Sequence, residues 1–236
     1  MIRVSPEAIT IGSGGFGQTD QSRELEFGSV GTMAPRPSPE LASSAATKGE
    51  RTRLRLLTLA IEQFGAQGYR STRVAEIARA AGLTQATAYA YFDNKESLFV
   101  AAVDADATEL IRAAHATLTD HLAVDRFRAF LAALYLELDH HALTRRVLDG
   151  GEPGVLPRLT GLPALRLTTG LIVADLQAGQ AAGNVRQDVD VLALGDGIEA
   201  IILSLLIGAV QAGGVYQTRH QLGVDAAFDA MLRPPD

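Results

Sequence analysis

From residue 51 onward, apolar residues recur at intervals of three and four, which is the spacing of an amphipathic helix. The first predicted helix begins near Arg51 and ends at Gly65 and Gly68, because glycine readily takes the conformation that closes a helix. Its apolar face consists of Leu56, Leu57, Ala60, Ile61 and Phe64.

Two short helices are predicted next. The first covers residues 72–80 and has Thr72 as its N-cap. Gly82 supplies the positive φ that a tight turn needs, and Thr84 caps another helix that runs to about residue 91.

The rest of the chain is also helical by pattern. Asp93 is the predicted N-cap of a long fourth helix over residues 94–118, and a loop from Gly183 to Asp188 joins two later long helices into an antiparallel hairpin. The other predicted helices cover residues 124–140, 141–148, 162–181, 189–212 and 224–232. No convincing strand remains, so the sequence predicts an all-α fold.

Residues 1–47 differ from the rest of the chain in composition. They are rich in glycine, serine and proline and show no sustained apolar period. We predict a disordered tail and leave open whether Met1 or Met33 is the true start. Residues 12–17 match a dinucleotide-binding glycine pattern, but the helix and the further strands that such a site requires do not follow. No cofactor is therefore expected.

Composition sets broader bounds. The 236 residues are 47% hydrophobic, which is enough apolar material for a sizeable core. The chain has no cysteine, which excludes disulfides, thiolate metal sites and a cysteine nucleophile, and makes a cytoplasmic location the default expectation. The longest apolar run, residues 200–210, is too short for a membrane span, so no membrane partner is expected.

The charge is distributed unevenly along the chain. The formal net charge is -6, yet residues 48–100 carry eight basic and five acidic side chains, whereas residues 101–236 carry ten basic and seventeen acidic ones. A basic module on an acidic body suits contact with phosphate, although an excess of three charges also fits an ordinary solvated surface.

Residues 77–91 meet the steric demands of a helix-turn-helix. Ala78 is small where two helices cross, Gly82 permits the turn, and apolar neighbours fix the angle between the helices. Such a turn lets its second helix enter a major groove. By itself the pattern is also that of any tight helical corner.

A longer set of positions resembles the N-terminal domain of the tetracycline-repressor (TetR) family. It covers about fifty residues without a gap, whereas beyond Val103 only the helical layout is similar. The matching positions are Leu56, Leu57, Ala60, Phe64, Gly68, Tyr69, Thr72, Ile77, Ala78, Ala81, Gly82, Leu83, Thr84, Thr87, Ala88, Tyr89, Ala90, Tyr91, Phe92, Lys95, Glu96 and Leu98.

The resemblance implies a domain arrangement and a set of DNA contacts. Residues 48–97 would form the helix-turn-helix domain, and residues 98–236 a helical domain for ligand binding and dimerisation. Gln85 would read adenine through its amide, and Lys95 would bind phosphate at a helix start. The full predicted DNA-binding set is Arg51, Arg53, Thr72, Arg73, Thr84, Gln85, Ala86, Thr87, Tyr89, Tyr91 and Lys95.

Two positions depart from the family pattern. Ala86 stands where many members have glycine, and Ala90 stands where an aromatic or charged residue is frequent. These changes put close backbone approach and one side-chain contact in doubt.

The family likeness also implies a ligand cavity between the middle helices. The candidate lining residues are Phe127, Phe130, Leu134, Tyr135 and Leu138. The alternative is that the same residues belong to an ordinary hydrophobic core. Glu137 and His141 share a helical face, but no third ligand is identifiable, so no metal is expected.

Helix 189–212 is apolar over more than the one stripe that a subunit core requires. Together with helix 162–181 it predicts a homodimer formed through a four-helix bundle. The candidate interface residues are Ile198, Ile201, Ile202, Leu205, Leu206 and Ala209.

The sequence thus predicts a cytoplasmic DNA-binding regulator, most simply a repressor that a small-molecule effector releases from a palindromic operator. The expected partners are duplex DNA, a second copy of the chain and an unidentified effector. No serine elbow, zinc helix or phosphate-binding loop is recognisable, so we expect no enzyme activity. A helical adaptor is the alternative, with a helical enzyme that lacks a recognisable motif behind it.

Overall fold

The computed structural model describes residues 47–118, 123–152, 161–212 and 216–234, and all regular structure in those ranges is helical. This confirms the all-α prediction. The predicted tail and its glycine pattern lie outside the described residues, apart from Thr47. The helices are α1 Lys48–Ser71, α2 Val74–Ala80, α3 Gln85–Tyr89, α4 Lys95–Ala116, α5 Ala123–Glu137, α6 Ala142–Leu148, α7 Pro163–Ala181, α8 Val191–Gln211 and α9 Tyr216–Leu232.

Helix α1 begins with a capping box. The Thr47 hydroxyl accepts a hydrogen bond from the Glu50 N–H at 3.2 Å, and the Glu50 carboxylate accepts one from the Thr47 N–H. The hydrogen bonds of the Thr47 backbone N–H and, second, of its side chain to the Glu50 carboxylate favour the charged form and lower the pKa of Glu50. The cap satisfies donors that the start of a helix otherwise leaves unpaired.

The end of α1 differs from the prediction. Gly65 does not end the helix but faces α6, where an added Cβ would lie 3.2 Å from the Leu143 nitrogen. The break comes at Gly68, whose φ is +79°. Thr72 was predicted to cap α2, but it closes α1 instead, because its hydroxyl donates to the Gly68 carbonyl at 2.8 Å.

Helices α1 to α4 enclose a small core. Phe64 meets Phe99 edge to face at 5.0 Å between ring centroids, and Tyr69 lies 5.0 Å from the same ring. Gly82, at φ +72°, turns the chain between α2 and α3 as predicted. The first four helices therefore form a packed unit that fixes the angle of α3.

The start of α4 was predicted one residue too early. Asn94, not Asp93, is the N-cap, and its side chain accepts from the Ser97 N–H at 2.8 Å. Ser97 reciprocates by accepting from the Asn94 N–H at 3.1 Å. The reciprocal pair decides between two adjacent residues that can both cap a helix.

The C-terminal part is built on α4 and on the predicted hairpin of α7 and α8. These two helices approach closely, since a Cβ added at Gly195 would lie 2.5 Å from Val173 Cγ2. Asp190, rather than Asp188, caps α8 by accepting from the Leu192 N–H at 2.9 Å. Asp188 instead pairs with Arg186 at 2.6 Å.

Helix α6 and the residues after it hold the end of α1. Arg146 donates to the Gly65 carbonyl at 3.1 Å and to the Ala66 carbonyl at 3.3 Å. The Tyr69 N–H donates to Glu152, which is only 6% exposed, at 2.8 Å. We call these contacts the α1–α6 junction.

A second set of buried bonds fixes α6 to α4. Asp106 of α4 accepts from the Thr144 N–H at 2.8 Å and from its hydroxyl at 2.7 Å, and its other oxygen lies 2.9 Å from His141 Nδ1. All three side chains are buried. Helix α6 is thus held by buried polar contacts at its start and by partly exposed ones at Arg146 near its end.

The two left-handed glycines give a matched test of the junction. Gly68→Ala and Gly82→Ala both place a Cβ at positive φ, which costs about 1–2 kcal/mol each. Only at Gly68 does the new Cβ also meet the Glu152 carboxylate, at 2.6 Å, whereas at Gly82 it meets nothing within 4 Å. We expect Gly68→Ala to destabilise the protein by at least about 1 kcal/mol more than Gly82→Ala in urea unfolding. Equal losses would show that the Glu152 contact contributes nothing.

Candidate nucleic-acid interface

Helix α3 presents one face to solvent and buries the other. Thr84 caps it by accepting from the Thr87 N–H at 3.1 Å, as predicted. Ala88 is buried against the domain core, whereas Gln85 and Ala86 are exposed. The cap and the buried alanine therefore fix which side chains α3 offers to a groove.

The exposed side chains of α3 are partly ordered by one another. The Gln85 amide donates to the Tyr89 hydroxyl at 3.3 Å, and the hydroxyls of Thr84 and Thr87 lie 2.8 Å apart. These groups are exposed or half-buried, and the amide keeps its oxygen and a second N–H available. The arrangement offers donors and acceptors of the kind that read base edges.

Aromatic residues follow α3 directly. Tyr89 is 39% exposed and Tyr91 is half-buried, whereas Phe92 is buried. The Arg53 guanidinium of α1 lies 4.9 Å from the centroid of the Phe92 ring. This cation–π contact brings a predicted phosphate contact next to the end of α3.

Lys95 is anchored more firmly than the sequence indicated. Its ammonium donates to the Arg70 carbonyl at 3.3 Å and lies 4.6 Å above the centroid of the Tyr69 ring. These contacts leave N–H donors for a phosphate at the start of α4. They also connect the predicted phosphate contact to the end of α1.

The remaining predicted contacts divide into exposed and buried ones. Arg51 and Arg53 are exposed, and Arg73 is exposed beside Glu76 at 3.8 Å. Thr72 is 1% exposed and its hydroxyl is bonded within the domain, so it is corrected from a DNA contact to a structural residue. The sequence showed that Thr72 matches a position of the family pattern, but it did not show which way the side chain faces.

A cavity of about 80 Å³ lies between α4, α5, α6, α7 and α8. Of the five predicted lining residues, only Leu134 borders it. Phe127 stacks on Phe228 at 6.2 Å, Phe130 meets His115 at 6.0 Å, and Leu138 is buried. The structure thus favours core roles for those three, and Tyr135 is half-buried against the core.

One lining residue that sequence reasoning missed is Glu199 of α8. Its Oε1 is sealed from solvent and has no hydrogen-bond partner among the described residues. Burial, and to a lesser extent the neighbouring charge of Asp196, raise the pKa of Glu199. The available signal was two acids, Asp196 and Glu199, inside an otherwise apolar helix.

No group of three metal-binding side chains occurs among the residues described. His141, one of the candidates, is buried and lies against Asp106, so its position has a structural explanation.

The predicted interface residues of α8 face two directions. Ile198, Ile202, Leu206 and Ala209 are buried in the subunit's own core, so they are not available as direct contacts with a partner. Ile201 is 36% exposed and Leu205 is half-buried. A stripe that remains open on α8 consists of Ala193, Gly197, Ala200, Ile201 and Ser204.

Helix α8 is long and apolar enough to cross a membrane by length and composition, yet one side of it packs in the protein core. Only 22% of its most apolar stretch is buried. The subunit therefore leaves much of an apolar helix uncovered.

Comparison with known proteins identifies the N-terminal part. Residues 56–102 match the model of the bacterial regulatory proteins of the tetR family. A curated relative, the uncharacterized HTH-type transcriptional regulator YdgC of Bacillus subtilis, is 42% identical over 53 residues. That match covers 22% of this chain and 27% of YdgC, so the chain aligns with about a quarter of its curated relative.

Solved structures are similar over much more of the chain. RolR in complex with resorcinol matches with a TM-score of 0.58 at 23% identity, over 78% of this chain and 89% of that one. GusR of Salmonella enterica matches with a TM-score of 0.57 at 23% identity, over 79% and 97%. These likenesses show a shared fold, and several neighbours are themselves described as tetR-family regulators. Residues 56–102 are therefore similar to the bacterial regulatory proteins of the tetR family, and the larger part of the chain shares the fold of the solved regulators.

Proposed function

We propose that this protein binds a palindromic DNA operator through α3 and represses transcription there. The observation that carries the proposal is the capped helix α3, which buries Ala88 and exposes Gln85 and Ala86 within a domain of the matched family. Gln85 contacts a base edge, and Lys95 with Arg53 contacts phosphates. Because DNA is the partner, the protein acts in the cytoplasm.

We propose further that two copies assemble through α7 and α8. Small exposed residues lie along one side of each helix, and a Cβ added at Gly170 or Gly197 would meet nothing within 4 Å. Small side chains let helices from two subunits approach closely, and the uncovered apolar surface of α8 supplies the driving force. Two copies would present two α3 helices to neighbouring half-sites of the operator.

An effector bound in the cavity would release the operator. The cavity is bordered by α4 and α6, and these helices also pack against α1 and are joined to each other by Asp106. A ligand that fits only when α4 or α6 moves would shift the α1–α6 junction and the spacing of the two α3 helices. Such a ligand lowers operator affinity by the difference in its own affinity for the two arrangements.

Two substitutions separate base reading from phosphate binding. Gln85→Ala should weaken binding unequally across operator base variants, because its amide faces base edges. Lys95→Gln should weaken binding to all duplexes alike and flatten the salt dependence, because it removes a positive charge that pairs with phosphate. Each change should cost roughly 1–3 kcal/mol, measured by fluorescence anisotropy on a selected genomic duplex and its base variants.

Gln67→Ala, at an exposed glutamine of α1, is the matched control and should leave affinity unchanged. If Gln85→Ala keeps both the affinity and the base preference of the wild type, Gln85 does not read the operator.

The dimer is tested on the exposed stripe of α8. Ala200→Glu combined with Ile201→Glu places two charges on a surface that should become buried on association, so light scattering at micromolar concentration should find monomers. The affinity for the palindromic operator should fall as the dimer is lost. Leu136→Glu changes a leucine of α5 that is 70% exposed and serves as the control that keeps the dimer. A native protein that is monomeric at this concentration would refute the assembly.

A further inference from the structure

Glu199 is a carboxylate in an unfavourable place. It belongs to the apolar helix α8, and its side chain as a whole is half-buried. Its Oε1, however, is sealed from solvent, and no described side chain or backbone group donates a hydrogen bond to that atom. A buried acceptor without a partner costs free energy, and an ionised one costs more. A glutamine or a leucine at this position would serve a purely structural role better.

The other described residues of the cavity wall do not supply the missing donor. It is almost entirely apolar, and its other polar side chains are Thr144 and Thr168. The Thr144 hydroxyl donates to Asp106 at 2.7 Å, and the Thr168 hydroxyl donates to the Ala164 carbonyl at 3.1 Å. A hydroxyl has one hydrogen, so both donors are already used, while their oxygens can still accept.

Among the described lining residues, Glu199 is the one charged side chain, and it is acidic. Asp196 lies one turn before Glu199 on α8, and no ion pair to Glu199 occurs in the part of the chain that the structure describes. A neutral donor would satisfy one oxygen and leave the charge unbalanced. A cation that carries N–H donors gives the sealed oxygen a hydrogen bond and balances the charge, whereas an anion is repelled.

We propose that this cavity binds a small apolar molecule bearing one protonated amine, and that the ammonium pairs with the Glu199 carboxylate. The apolar body lies against residues such as Leu110, Leu134 and Ile202, and the threonine oxygens accept from further N–H groups. The cavity volume of about 80 Å³ limits the occupant to a small molecule unless the helices move apart. This inference rests on the proposed effector-responsive function and names the chemical class of the effector.

The test uses three small probes of nearly equal shape: isobutylamine, 2-methylpropan-1-ol and isobutyrate, which at neutral pH carry charges of about +1, 0 and -1. Their binding to the full chain is measured by calorimetry and by thermal shift. We expect the amine to bind at least about tenfold tighter than the alcohol and isobutyrate to bind most weakly. This comparison needs no variant.

Glu199→Gln removes the charge with little change of shape. It should lower amine affinity at least about tenfold, leave alcohol affinity within about twofold, and raise the Tm of the unliganded protein. Asp196→Asn, at an exposed carboxylate of the same helix that does not line the cavity, is the control and should change amine affinity by about threefold or less. Equal affinities for the three probes, including no detectable binding of any, would overturn the proposal. So would a Glu199→Gln protein that binds the amine as the wild type does.

These measurements are made without DNA, so they separate this inference from the proposed function. If the amine binds through Glu199 but leaves operator affinity unchanged, the ligand site stands and effector-linked release is wrong. If the amine releases the operator but Glu199→Gln responds equally, release stands and the assignment of Glu199 is wrong.

Discussion

The α1–α6 junction is the contact on which the arrangement of this protein depends. At Gly68 the backbone takes a positive φ, which leaves the Gly65 and Ala66 carbonyls and the Tyr69 N–H available beside α6. The charged side chains of Arg146 and Glu152 bind these neutral backbone groups. Charge-assisted hydrogen bonds in a partly buried setting are stronger than neutral ones, so the helix-turn-helix domain is held to the body at a defined angle.

In the proposed function, the same junction connects the cavity to helix α3. Asp106 fixes the start of α6 to α4, while Arg146 fixes its other end to α1. Thr144 both bonds to Asp106 and borders the cavity, so the proposed ligand would contact the polar network directly. In our account, α6 is the element whose position depends on the cavity at one side and sets α1 at the other.

The sequence predicted the helix-turn-helix region well, because its signals are local. A period of three and four residues, the left-handed Gly82 and the Thr84 cap each act within a few residues of their own position. Where two adjacent residues suited the same capping role, the predicted helix start was wrong by one residue. Asp93 and Asn94 can both cap a helix, and only the reciprocal bond with Ser97 distinguishes them.

The cavity could not be predicted in the same way, because it is a space between five helices whose packing no local pattern specifies. Phe127 and Phe130 are aromatic residues of the kind that line ligand pockets, but they pack against Phe228 and His115. Four of the six interface candidates on α8 likewise face the core, since an apolar residue alone does not show which neighbour covers it. Glu199 stands out in the sequence as an acid in an apolar helix. Its proposed role, however, depends on an oxygen with no hydrogen-bond partner among the described residues, which only the structure shows.

The most direct test of the account is a nuclease footprint of the full chain on genomic fragments that it enriches. Two copies that each insert α3 should protect one region with two inverted half-sites, whose centres lie about one helical turn, ~34–36 Å, apart. Enrichment of no sequence, or protection of a single site without internal symmetry, would contradict the claim that this protein is a dimeric operator-binding regulator.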